Sequence, residues 1–310
     1  MEDRRILTEL APVVEKELNR HLSLSRPWSP FEYIPWSEGQ NFPMLGGKEW
    51  EESDQKFNEM VRASLIIQLA SEDNLPFYMY QFGKVLGYEE AWTEWLNRWT
   101  TEESRHGSSI RDYLIVTRSI NPYELEKIRM SHMPQGFVMP TPKPIHIMAN
   151  TAIQELVVRQ SYNNTGNKSG DPVLIKLLNR IGLDENLHMI FYRNMVKESL
   201  DLCPDISMIA ISDTIINYIP PAYKMPGHDY LVAKVAIADI YDLKRHYEKT
   251  ISPLLRYWNI FYRNDFGPDG ELARENLSDF LVALKDKADI FYEKRKKIIE
   301  RLESNERTGL

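Results

Sequence analysis

The chain has 310 residues, 43% of them apolar and 27% charged, which is the balance of an ordinary globular protein long enough to bury a large core. A net charge of −7 excludes a protein that works by neutralising nucleic-acid phosphates. A single cysteine, Cys203, excludes an intrachain disulfide and suits a reducing compartment.

The opening residues, MEDRRILTEL, hold neither the apolar run of about 7–15 residues nor the small-residue cleavage site of a secretory signal. Nowhere do the roughly 18 uninterrupted apolar residues of a membrane span occur. A cytoplasmic protein without a membrane span is expected. Helical periodicity begins at 6–20, and after a loop containing NFPMLGG it resumes at 57–84 on the stripe Val61, Leu65, Leu69, Pro76, Met79 and Tyr80. Glu72 lies on that stripe. In the next segment, 89–118, apolar residues fall at Trp92, Trp95, Leu96 and Trp99, then at Ile110, Tyr113 and Leu114. The same spacing carried between the two groups lands on Glu103 and His106. A short helix at 122–131 and the turn GFVMPTPKP lead to 145–164, where Glu155 shares a stripe with Met148, Ala152, Val158 and Tyr162. NNTGNKSGDP reads as a turn. The segment 171–199 then carries Leu174, Leu177, Leu178 and Ile181, followed by Glu185 and His188, then Tyr192, Met195 and Val196. Helices at 205–219, 228–260 and 271–304 follow, divided by MPGH and NDFGPDG. Period-two alternation is not sustained anywhere, so one all-α domain over residues 1–310 is expected.

Two segments share a chemical pattern. Glu103-Ser104-Arg105-His106 is repeated as Glu185-Asn186-Leu187-His188, and each copy follows another acid, Glu102 or Asp184. Three residues is nearly one helical turn, so carboxylate and imidazole project from one face. A lone inward Glu precedes each copy, Glu72 by 31 residues and Glu155 by 30. Moving even one ionised carboxylate into a dry interior costs several kcal/mol, and four together repel. Two divalent cations cancel the set. Carboxylates with two imidazoles suit iron or manganese better than a four-ligand structural zinc. A single Glu on each of two helices and Glu-x-x-His on two others is the ligand pattern of di-iron and di-manganese helical bundles. His21, His132, His146, His228 and His246 lack a Glu three residues earlier and read as ordinary surface or core histidines.

The motifs SEDNLPFY around Glu72, WTTEESRHG around Glu103, IQE at Glu155 and LDENLHMIFYRN around Glu185 resemble those of the soluble acyl-acyl-carrier-protein desaturases, especially their bacterial and mycobacterial branch. MPGH and IYDLKRHYEKTISPLLRYWNIFYRNDF extend the resemblance over roughly residues 30–280. The resemblance implies a ferritin-like di-iron four-helix bundle with additional helices. It implies that Glu72, Glu103, His106, Glu155, Glu185 and His188 bind two iron ions, with Asp184 and Glu102 holding ligand histidines by their distal N–H. It further implies an O2-dependent enzyme that takes electrons from a ferredoxin-type donor. The substrate would be a fatty acyl chain on acyl carrier protein, the product a cis double bond, and the assembly a homodimer. Leu75, Met79, Met148, Ile153 and Met189 are candidates to line the acyl chain. EKRKK at 293–297 and Lys244-Arg245 are candidates to meet the acidic carrier protein. The family usually places a threonine three residues after the third Glu ligand, facing the irons. Here that position is Val158, and the hydroxyl is gone. Hydroxylation or another oxidation of a carrier-bound chain, and a non-catalytic iron-binding role, remain the competing outcomes.

Overall fold

The computed structural model describes the backbone of residues 3–308 and the side chains through residue 300. Helices account for the regular structure, and no strand occurs among the described residues. Four helices form the core: α2 (Glu59–Glu72), α4 (Glu90–Val116), α6 (Pro144–Ser169) and α7 (Pro172–Leu202). Each packs on two of the others, in the ring α2, α4, α7, α6. α1 (Asp3–Leu24) lies against α4 and α7, while α3 (Leu75–Leu86) packs on α4. α5 (Pro122–His132), α8 (Pro204–Ile216) and α9 (His228–Ile237) surround this core. The short α10 (Leu243–Arg245), a π-helical turn at His246–Ile251 and α11 (Ser252–Tyr257) follow, and α12 (Pro268–Thr308) closes over α8. No described helix is long and apolar enough to cross a membrane.

Local chemistry sets the helix starts. Asn58, Asn121 and Asp171 each accept two first-turn N–H groups, at α2, α5 and α7. Pro76, Pro122, Pro144, Pro172 and Pro204 occupy first turns, where a missing N–H costs nothing. Two expected helices are broken. The segment 57–84 divides at Asp73–Asn74, because Arg129 holds Asp73 through two bonds of 2.6 and 2.8 Å and Asn74 donates to the Pro221 carbonyl at 2.8 Å. The segment 228–260 divides where Asp239 turns left-handed (φ 60°) and Asp242 caps the next turn. One expected turn is instead helix: α6 runs through NNTGNKS to Ser169 and ends at Gly170, whose φ of 66° suits glycine.

The core has two apolar halves. Trp92, Trp95 and Trp99 of α4 meet Phe191, Tyr192 and Met195 of α7 in one half, and the Trp95 ring stacks on Phe191 with centroids 3.5 Å apart. Ile110, Tyr113 and Leu114 of α4 meet Leu174, Leu177, Leu178 and Ile181 of α7 in the other. Both helices therefore carry their Glu-x-x-His turn between the halves, at one level of the bundle. α6 and α7 pack closely at Gly166, where a Cβ would sit 3.3 Å from Ile175 Cα and 3.8 Å from Leu178 Cβ. Gly166→Val should destabilise the fold by about 1–3 kcal/mol through overpacking, read as a lower urea midpoint at unchanged slope. An unchanged midpoint would show that the hairpin separates without cost.

Candidate metal centre

The six predicted side chains converge on one buried layer. Glu72 ends α2, Glu103 and His106 come from the middle of α4, Glu155 from the middle of α6, and Glu185 and His188 from the middle of α7. They form two overlapping groups, each with ligand atoms within 4.8 Å of one another: Glu72, Glu103, His106 and Glu185, and Glu103, Glu155, Glu185 and His188. Glu103 and Glu185 belong to both. Each group offers three carboxylates and one imidazole, so either could hold a cation, with the two shared carboxylates between them.

The imidazoles present Nδ1 to this layer. His106 Nδ1 lies 3.2 Å from Glu185 and 3.6 Å from Glu103; His188 Nδ1 lies 2.8 Å from Glu103 and 3.4 Å from Glu185. The Nε2 atoms face outward, and the pairing is crosswise. Glu102 of α4 takes His188 of α7 at 2.9 Å, and Asp184 of α7 takes His106 of α4 at 3.4 Å. Both acids are almost fully buried. Around them stand residues that the ligand pattern did not single out. His21 of α1 shares the same Glu102 oxygen at 2.9 Å, and Arg98 pairs with the other. Trp28 donates to Asp184 at 2.7 Å, with Arg105 at 3.0 Å and Arg180 also bonded to it. The Tyr162 hydroxyl donates to Glu72, and the Trp99 indole donates to Glu155 at 3.1 Å. Tyr162 and Trp99 had a signal in the sequence, since each lies about two turns or one turn from a ligand on the same helix face. His21 and Trp28 had none, because α1 and the loop after it approach only in the folded chain.

Charge in this layer is unbalanced. Burial, then repulsion from Glu103 and Glu185, pushes Glu72 and Glu155 well above the carboxylate range. Burial would raise Glu103 too, but His106 and His188 bring it down to about 2. The same carboxylates overcome burial to raise both imidazoles well above 6.5. Glu102 and Asp184 are lowered against burial, Glu102 by His188 and His21, Asp184 by His106. Even so, both oxygens of Glu185, Oε1 of Glu103 and Nδ1 of both histidines make no aligned hydrogen bond, even where His188 Nδ1 and Glu103 Oε1 lie 2.8 Å apart. Buried polar atoms left this way are rare, and here all point into one space, as a donor set for cations requires.

A cavity of about 10 Å3, room for one water-sized molecule, borders the layer. Val158 lines it, with Glu72, Glu103, Glu155, Gln154, Ser71, Leu75 and Tyr78. Of the proposed chain-lining residues only Leu75 reaches this cavity. Met148, Ile153 and Met189 are packed in the core, and Met79 borders it against Thr100. Of the basic candidates, Lys294, Lys296 and Lys297 are exposed, while Lys244, Arg245 and Arg295 meet acids of this chain. Arg295 is buried on Asp239 and Asp242, Arg245 pairs with Asp239, and Lys244 sits between Asp289 and Glu248.

Residues 2–306 match the fatty acid desaturase family model. The chain belongs to that family. It is 38% identical over 307 residues to DesA1 of Mycobacterium tuberculosis, covering 96% of this chain and 91% of DesA1, a protein whose name gives acyl-acyl-carrier-protein desaturase as a provisional activity. Stearoyl-acyl-carrier-protein 9-desaturase 1 of Arabidopsis thaliana chloroplasts is 23% identical over 276 residues, covering 82% of this chain and 68% of that one. The X-ray structure of DesA2 from M. tuberculosis, likewise provisional in name, superposes with a TM-score of 0.72 at 26% identity, covering 87% of this chain and 99% of DesA2. The all-α four-helix arrangement is thus that of a desaturase. A cation taken up by this layer would displace protons from Glu72, Glu155, His106 and His188, whose surroundings favour their protonated forms. Anaerobic addition of Fe(II) should therefore release protons, and affinity should fall as pH is lowered through neutrality, because imidazoles raised above 6.5 hold their protons more tightly there. Pulses of Fe(II) into weakly buffered protein, followed with a pH electrode, check this; uptake without acidification would contradict it.

Proposed function

We propose that the chain is an O2-dependent acyl-acyl-carrier-protein desaturase that introduces a cis double bond, using a di-iron centre and electrons from a ferredoxin-type donor. The observation that carries this reading is the convergence of four buried carboxylates and two Nδ1-facing imidazoles, with unpartnered donor atoms, in a chain of the fatty acid desaturase family. Iron would be held by Glu72, Glu103, His106, Glu155, Glu185 and His188; a hard oxygen set with two imidazoles also accepts manganese. Bound iron supplies the oxidising power, with O2, to remove hydrogens from an unactivated methylene pair, which no side chain achieves as acid or base.

The chain's own residues do the rest. Glu102 and Asp184 accept the Nε2 hydrogens of His188 and His106, which fixes both tautomers with Nδ1 free toward the centre. Trp99 orients Glu155. The two apolar halves exclude water from above and below, so oxidising equivalents are spent on the bound chain. The cavity at Val158 is the size of a small gas molecule, and an acyl chain would enter only as its lining, Leu75 and Tyr78 included, moves aside. A carrier protein presents the chain, as the names of the plant relatives state for those enzymes. A homodimer, also part of this reading, is checked by sedimentation.

Mass spectrometry of carrier-bound acyl chains after incubation with reduced ferredoxin and O2 decides the outcome. Loss of two hydrogens is expected. Gain of one oxygen would replace desaturation by hydroxylation, and unchanged chains with iron bound would leave an iron-binding role alone.

Val158 separates a packing role from a chemical one. Valine and threonine are close in shape, so Val158→Thr should fold with both ions bound, at a cost of about 1–3 kcal/mol if the new hydroxyl finds no acceptor. Product formed per ferredoxin oxidised should rise, because a hydroxyl now faces the cavity between Glu72 and Glu155. An unchanged ratio with intact metal content would mean that the valine is neutral packing.

A further inference from the structure

Glu72 differs from the other cluster carboxylates in where it stands. Glu103, Glu155 and Glu185 lie inside long helices, whereas Glu72 is the last residue of α2. A helix C-terminus carries the negative end of the backbone dipole and disfavours a carboxylate. Asp73 and Asn74 after it belong to the break before α3, so no further turn of α2 follows to brace the side chain. Two residues from other helices brace it instead. On α4, a Cβ at Gly107 would sit 3.0 Å from Glu72 Cβ, so the glycine leaves Glu72 the space it occupies. On α6, the Tyr162 hydroxyl donates to Glu72 Oε1, and Tyr162 is fully buried, with no solvent to compete for that hydrogen. Gly107 lies one turn beyond Glu103 on its helix, and Tyr162 two turns beyond Glu155, so both reach Glu72 from the faces that line the centre. At the other end, Glu155 sits mid-helix and takes its donor from Trp99.

We propose that Gly107 and Tyr162 are positioning residues that clamp Glu72 in one orientation, and that the cation at the Glu72–His106 end depends on this clamp while the cation at the Glu155–His188 end does not. The inference rests on the two-cation reading above. It makes the centre unequal: beyond the shared Glu103 and Glu185, one ion draws on Glu155, set mid-helix with one donor from Trp99, and the other on Glu72, set at a helix end and held by Gly107 and Tyr162 together.

The test is Mn(II) binding to the metal-free full-length chain, with free Mn(II) counted by electron paramagnetic resonance. The wild type should bind two ions; fewer than two would overturn the two-cation reading and the clamp with it. With two bound, Tyr162→Phe should weaken one ion by about 10–100-fold, the usual effect of losing a hydrogen bond to a ligand, and leave the other unchanged. Gly107→Ala acts on a different atom of Glu72 and should weaken the same single ion, which keeps the test open if Tyr162→Phe fails to fold. Trp99→Phe should weaken the other ion, so the double variant Tyr162→Phe with Trp99→Phe should lose affinity at both. Thermal unfolding of the metal-free variants should remain a single cooperative transition, and the loss of one ion alone is the readout that a general packing defect, which would weaken both, does not give. Unchanged isotherms for Tyr162→Phe and Gly107→Ala, or equal weakening of both ions by either one, would overturn the clamp while leaving the two-cation reading intact.

Discussion

Mutual repulsion among four carboxylates buried at one level of an apolar bundle is the constraint around which this molecule is organised. Glu72, Glu103, Glu155 and Glu185 come from four different helices, so no single helix can relieve the repulsion by moving one side chain. Burial would drive such groups to protonate, and only nearby positive charge keeps them ionised. Two imidazoles supply part of it: they hold Glu103 low but leave Glu72 and Glu155 raised. The layer could therefore hold a cationic occupant, whose binding would offset its cost to the fold.

The rest of the bundle holds that layer in register. Apolar halves above and below, with stacked tryptophan and phenylalanine rings in one and a leucine-rich seam in the other, prevent α4 and α7 from sliding. Gly166 lets α6 and α7 pack closely enough for Glu155 to share a site with Glu185. Outside the centre, Glu102 and Asp184 tie each helix to the histidine of the other. Arg98, Arg105, Arg180 and His21 then keep those two acids ionised. Removing one member of this outer network leaves a buried charge without its partner, so orientation at the centre depends on residues that never touch it.

Helix class, the two Glu-x-x-His turns and the inward direction of all four carboxylates were legible from periodicity, because a helix of 3.6 residues per turn places i, i+3 and i+4 on one face whatever surrounds it. Cap chemistry at Asn58 and Asp171 is equally local, because side chain and capped backbone are neighbours in sequence. The reading failed where a distant residue overruled local preference. Arg129 and Pro221 pull Asp73 and Asn74 out of a continuous helix, and the close packing of α6 on α7 carries helix through the glycine- and asparagine-rich NNTGNKS. Within the basic run at 293–297, Arg295 turns inward to Asp239 and Asp242 after α9, while Lys294, Lys296 and Lys297 stay exposed.

By itself the sequence determined which side chains face inward and that their donor types suit a cation, since both follow from residue type and helical period. Tertiary structure alone decided how those side chains are shared and paired. That Glu103 and Glu185 serve both groups, that Glu102 reaches His188 rather than His106, and that Glu72 is met by Gly107 and Tyr162 depend on how four helices cross. Periodicity gives the direction of a side chain about its own helix axis but not its height against a neighbouring helix. That height is set by packing volumes summed over both halves of the core, and no local stretch of sequence contains the sum.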